Sequence, residues 1–150
     1  MIDAAIRMGY RVAHLGLRTW WFVRRPETRG ALVAIWNEGE LLLIRSSYRS
    51  KCSLPGGYVE EGEDPKDAAV RELWEELALR TTKHALREGW KGSLPFEFRT
   101  DSLHIFELDV DQRPEVRVNQ REIIWAGWKT AKEALEMDIV PHLREYLATK

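Results

Sequence analysis

Glu72, Glu75 and Glu76 stand at i, i+3 and i+4 inside a segment that carries the marks of an amphipathic helix. Asp64-Pro65 opens it. Aspartate supplies an N-cap oxygen, and proline, which has no amide hydrogen, suits the first helical position. Asp67 adds negative charge to the first turn, where the helix dipole favours it. Ala68, Ala69, Val70, Leu73, Trp74 and Leu77 provide helix formers and an apolar stripe at i, i+3, i+4 and i+7 spacing. The three glutamates share another face, within about 100° of arc, and the pattern gives them no Lys or Arg partner there. Like charges at i, i+4 repel by roughly 0.2–0.5 kcal/mol per pair. A solvated acidic surface is one reading. The other is a divalent cation that turns repulsion into attraction, since hard cations take oxygen ligands.

The neighbours of this helix favour the second reading. Gly57 comes first, then Glu63, then Arg71-Glu72 and Glu75-Glu76. The pattern resembles the Nudix box, G-x5-E-x7-R-E-U-x-E-E-x-G-U with U apolar. Gly57, Glu63, Arg71, Glu72, Leu73, Glu75, Glu76 and Leu79 fall on it, and Ala78 stands where the family has Gly. The family Gly ends the helix, where positive φ is often needed. Alanine there costs about 1 kcal/mol if that geometry is kept. Just upstream, Leu54-Pro55-Gly56-Gly57 is a turn whose glycines let backbone approach a ligand closely.

The resemblance implies an α/β fold of the Nudix type, an α/β/α sandwich with a mixed sheet. It implies that Glu72, Glu75, Glu76 and the Gly56 carbonyl hold Mg2+, with Mn2+ as a substitute. Gly57, Glu63 and Arg71 would support the site, Arg71 by orienting Glu72 or pairing with Glu63. The general base stays open among Glu72, Glu76 and Glu122, a later carboxylate that precedes a strand containing Trp125 and Trp128. The implied reaction is attack of water on a phosphorus of a nucleoside diphosphate linked to another group X, such as an ADP-ribose-like compound, a nucleotide sugar or a nucleoside triphosphate. Pro95, sixteen residues after Leu79, resembles a marker of ADP-ribose pyrophosphatases. The chain lacks the Gln before Gly-Gly that is associated with RNA 5′-end and dinucleoside-polyphosphate hydrolases. A non-catalytic nucleotide-binding sensor on the same fold is the competing class, and such proteins usually lose a metal-site carboxylate, whereas all three are present here. Arg45, Arg49 and Lys51, before the Gly-Gly turn, are candidates for substrate phosphates.

A chain of 150 residues is the size of one domain with a real core. Its net charge of −1 argues against a broad phosphate-tracking surface for nucleic acid. One cysteine, Cys52, excludes an internal disulfide and fits a reducing cytoplasm. No apolar run approaches the ~20 residues of a membrane span. His14, His84, His104 and His142 share no metal spacing and read as surface or satisfied core residues. Trp90, Trp125 and Trp128 read as core or sheet-face residues.

Residues 1–25 form an accessory segment ahead of a Nudix-type domain over 26–150. Ile2, Ile6, Tyr10, Ala13, Leu17, Trp20 and Trp21 recur at near-helical spacing among five arginines. This predicts an amphipathic helix, ended near Pro26, that packs on the domain or on a twin subunit in a homodimer, with a membrane-surface helix as the alternative. Strands are predicted at 30–36 and 40–44 around the turn Asn37-Glu38-Gly39, within 81–90, and at 123–128. Segments 96–99 and 103–110 predict a hairpin with Asp101-Ser102 as its turn. Thr130 with Glu133 predicts a capped helix running towards Ala148 with a break near Pro141.

Overall fold

The computed structural model describes residues 2–24 and 27–150. The chain order is α1 (Ile2–Arg24), β1 (Glu27–Asn37), β2 (Glu40–Ser46), β3 (Gly56–Tyr58), α2 (Pro65–Leu77), a 3-10 turn (Lys83–Ala85), β4 (Arg87–Phe96), β5 (Arg99–Asp109), β6 (Ile123–Thr130), α3 (Ala131–Glu136) and α4 (Pro141–Leu147). The sheet runs β4-β5-β1-β2-β6, with β3 paired to β1 off this path. Only β1 and β5 pair in parallel; the other pairs are antiparallel.

The near-continuous apolar run of β1 follows from burial on both faces. Ala31, Val33 and Ile35 turn to one side, where Ala68, Ala69, Leu73 and Leu77 of α2 cover them. Leu32 and Ala34 turn to the other, against Leu143, Tyr146 and Leu147 of α4. The sheet lies between helices, as the sandwich requires. Trp74 departs from the expected stripe: it is exposed, with the Arg80 guanidinium 4.6 Å from its ring centroid.

Helix ends follow the sequence. The Asp64 side chain accepts from the N–H groups of Lys66 and Asp67, and Pro65 is the first helical residue. Ala78 sits at φ 53°, ψ 30°, and its N–H with that of Leu79 closes the last turn on Trp74 and Leu73. The conformation that favours glycine is retained with alanine in place. Thr130 and Glu133 form the reciprocal capping box.

Three expectations need correction. The β4–β5 hairpin turns at Glu97-Phe98, with φ 48° and 67°, and Asp101 and Ser102 lie inside β5. No Gly or Asn announces that turn; Glu97 and Phe98 are held in it by tertiary partners described below. The 81–90 segment is extended only from Arg87. The last helix is two helices, because residues 138–140 leave it to pair with Cys52: Cys52 N–H donates to Asp138 O at 2.8 Å and Val140 N–H to Cys52 O at 3.0 Å. Pro26, expected to end α1, lies outside the described residues.

Helix α1 turns only part of its expected apolar stripe inward: Tyr10 and Trp21 face the domain, whereas Ile2, Ala13, Leu17 and Trp20 are exposed. Arg7, Tyr10, His14, Arg18 and Trp21 lie towards the domain, and Trp21 is the only buried residue of the helix. Met8, Val12, Leu15, Trp20 and Val23 are exposed. No helix is long and apolar enough to cross a membrane among the described residues.

Candidate active site

A cavity of about 310 Å³ opens where β3, α2, the loop after β2, the hairpin and the start of α4 meet. Its lining includes the carboxylates of Glu72, Glu75, Glu76 and Glu122, the Arg99–Asp101 pair, Arg49, His142 and the rings of Tyr48, Tyr58 and Phe96.

The carboxylate lining is built on glycine. Strand β3 lies so close to β1 that a Cβ on Gly56, at φ 138°, would fall 2.2 Å from Ala31 O. A Cβ on Gly57 would fall 2.6 Å from Cδ of Glu72. Bare backbone thus meets the carboxylate helix: Gly56 N–H donates to Glu76 Oε2 at 2.8 Å. Glu76 is 8% exposed. Burial pushes its carboxyl up to about 8; the Gly56 N–H opposes this, while Glu72, Glu122 and Glu75 add to it. Burial also raises Glu72, against the pull of Arg71.

Arg71 reaches the acidic face, contrary to the expectation that it has no basic partner. Its Nε and Nη2 donate to the two Glu63 oxygens at 3.0 and 3.1 Å, Nη1 to Glu72 Oε1 at 2.8 Å, and Nη2 to Tyr58 O at 3.1 Å. Glu75 Oε2 lies 3.5 Å from Nη1. The guanidinium stays protonated, and its hydrogen bonds hold Glu63 below the usual carboxylate range. One fork therefore ties the loop at Glu63, the strand at Tyr58 and the helix at Glu72 together.

The donors suit a hard divalent cation: all are oxygens, and Glu76 is raised first by its burial and further by Glu72, Glu122 and Glu75. Among the described residues, no three His, Cys, Asp or Glu side chains converge enough to enclose an ion as they stand.

Of the three basic candidates, only Arg49 lines the cavity. Lys51 pairs with Asp138 at 2.5 Å on the surface, and Arg45 lies in β2 opposite Trp125. Pro95 is an exposed residue of the edge strand β4 and does not line the cavity. Residues the sequence did not single out matter more. Arg99, 5% exposed, grips Asp101 with Nε–Oδ1 2.6 Å and Nη2–Oδ2 2.9 Å, and donates to Glu97 at 3.1 Å. His142 is buried, and its Nδ1 has no hydrogen-bond partner among the described residues. It is not the satisfied core histidine expected. Burial, with Arg49 and Arg99 nearby, lowers it to about 3. An isolated His or Arg in a sequence carries no signal that tertiary packing will bring it into a cavity.

Comparison with known proteins agrees with this geometry. The family model described as NUDIX domain matches residues 26–149. The chain is 31% identical over 121 residues to the NAD-capped RNA hydrolase NudC of Chromobacterium violaceum, covering 79% of this chain and 42% of that protein. It is 44% identical over 59 residues to a putative 8-oxo-dGTP diphosphatase of Bacillus subtilis, covering 39% of this chain and 40% of that one. The chain thus spans less than half the length of these curated relatives. The crystal structure of a MutT protein from Methanosarcina mazei superposes with TM-score 0.73 at 24% identity, covering 83% of this chain and 93% of that one. That likeness concerns the fold.

Proposed function

The chain belongs to the NUDIX family, and we propose that it is a Mg2+-dependent pyrophosphohydrolase cleaving the diphosphate of a nucleoside diphosphate linked to a further group. The observation that carries this reading is the cavity itself, lined by the carboxylates of Glu72, Glu75, Glu76 and Glu122 together with Arg49, Arg99 and aromatic rings. Such a cavity suits a ligand that is anionic at its centre and flat at its ends. Glu72, Glu75, Glu76 and the Gly56 carbonyl would hold the ion, with Mn2+ as a substitute. When bound, the ion neutralises phosphate oxygens and lowers the pKa of a water. Gly57 leaves room for the Glu72 carboxylate, and the Arg71–Glu63 pair fixes its direction. Arg49 is the remaining candidate for a substrate phosphate. Glu122 is the carboxylate best placed for general base, since it lines the cavity yet arises from a separate loop.

ADP-ribose-like compounds, nucleotide sugars and nucleoside triphosphates remain the substrate classes. Likeness to a protein named for NAD-capped RNA favours including a capped RNA end. A panel of these compounds, incubated with Mg2+ and assayed for phosphate or mononucleotide release, tests the reading. Turnover that stops in excess chelator is expected. Binding of a nucleotide with no turnover of any member, in Mg2+ or Mn2+, would instead establish the sensor reading.

The exposed, uncharged face of α1 belongs to the same proposal: a second copy covers it, giving a homodimer. Light scattering of the full chain and of Val12→Glu tests this, with a monomer expected for the variant alone. Buried, unpaired Cys52 suits a cytoplasmic setting.

A further inference from the structure

Helix α1 precedes the segment matched by the family model, 26–149, yet its domain-facing side chains reach the loops bordering the cavity. Arg7 Nε donates to Gln120 O at 2.8 Å, Arg11 Nε to Ser47 O at 3.1 Å, and Tyr10 Oη to Glu122 Oε1 at 3.2 Å. Ser47 closes on the same loop, its N–H donating to Glu122 O at 2.6 Å and its Oγ to Arg121 O at 3.2 Å. Further along, His14 Nε2 meets Glu97 Oε1 at 3.2 Å, and the Trp21 ring lies 3.9 Å from the Arg99 guanidinium carbon. Three inward residues of α1 thus touch residues that line the cavity, Tyr10 on Glu122, His14 on the Tyr48 ring and Trp21 on Arg99.

We propose that α1 is a working part of the active site and that Tyr10 is a positioning residue for the Glu122 carboxylate. This rests on the enzyme reading above. A carboxylate at the end of a short loop rotates freely unless something holds it. Tyr10 holds one oxygen, while Oε2 has no hydrogen-bond partner among the described residues and is left for a water or substrate proton. The donor is neutral at working pH, since burial and Glu122 raise the phenol above its usual value. A neutral donor orients a base without the strong loss of basicity that an Arg or Lys partner would cause. The backbone clamps from Arg7 and Arg11 set the loop, and the phenol sets the side chain.

Tyr10→Phe in the full chain removes one oxygen atom and no packing. Turnover on the best substrate of the panel should fall about tenfold with KM within about twofold, as misplacement of a catalytic group does. In a Glu122→Gln background the same change should have no further effect. Amide hydrogen exchange, read without substrate, should accelerate at residues 119–123 and stay unchanged in β1 and α2. An unchanged kcat, an equal drop in both backgrounds, or unchanged exchange at 119–123 would overturn the proposal. If the parent chain turns over nothing, the enzyme reading fails on its own and the exchange measurement still decides whether Tyr10 holds the loop.

Discussion

Arg71 and Glu63 face each other as two parallel hydrogen bonds, Nε to Oε1 at 3.0 Å and Nη2 to Oε2 at 3.1 Å. The fork also donates to Glu72 Oε1 and to Tyr58 O. Glu63 therefore acts on the candidate metal site from a distance, by fixing the guanidinium that fixes Glu72. Glu63→Gln keeps the shape and removes the charge. Melting temperature should fall, and activity should fall without complete loss. A variant with the parent's melting temperature would show that the fork holds without Glu63.

Glu76→Gln should behave in the opposite way. The carboxyl is buried beside three others, so the amide relieves crowding while keeping volume. In chelator the variant should be at least as stable as the parent. Mg2+ should raise the parent's melting temperature, as any ligand bound only by the native state does, and leave the variant's unmoved. Loss of turnover should reach the order of several kcal/mol of transition-state stabilisation. A parent-like rate would remove Glu76 from the site.

Ala78→Gly should stabilise the protein by about 0.5–1 kcal/mol, because the residue already occupies the left-handed region at φ 53°. Activity should not change, since Ala78 does not line the cavity. Chemical denaturation checks the first statement, and a drop in stability would mean the closing turn needs the methyl.

Stability should decline in two acid windows. His142 is lowered from 6.5 to about 3 by burial and by Arg49 and Arg99. The unfolded chain takes up a proton below 6.5 that the folded residue refuses, so the contribution of His142 is complete above that pH and falls towards 3. Glu97 is lowered from 4.5 to about 2; burial opposes this, but the His14 hydrogen bond, Arg49 and Arg99 prevail. Its contribution is complete above 4.5 and is lost as pH falls through 2. Urea melts of Glu76→Gln from pH 7 to 3 should show the decline, because the raised Glu76 carboxyl of the parent contributes the opposite slope between 4.5 and 8. His142→Gln should flatten the slope between 6.5 and 4.5 and leave the lower window in place.

The helix from Pro65 to Leu77, its caps and its acidic face were legible in the sequence, because each depends on residues within a turn or two of one another. The same holds for the apolar strands β1 and β2 and for the capping box of Thr130. The arginine and aromatic lining of the cavity was not. Glu97 and Phe98 take positive φ with no glycine to announce it, and what holds them is distant in sequence: Arg49 and His14 on Glu97, and Phe22 on Phe98 with ring centroids 5.2 Å apart. The apolar spacing of α1 marked a helix, yet the face that docks joins Tyr10 and Trp21 of that stripe to Arg7, Arg11 and His14, because the surface it meets offers carboxylates and carbonyl oxygens as well as aromatic rings. Periodicity reports how a segment can bury itself. Which loops it then meets depends on pairing across the whole sheet, and that decided where Tyr10 lies relative to Glu122.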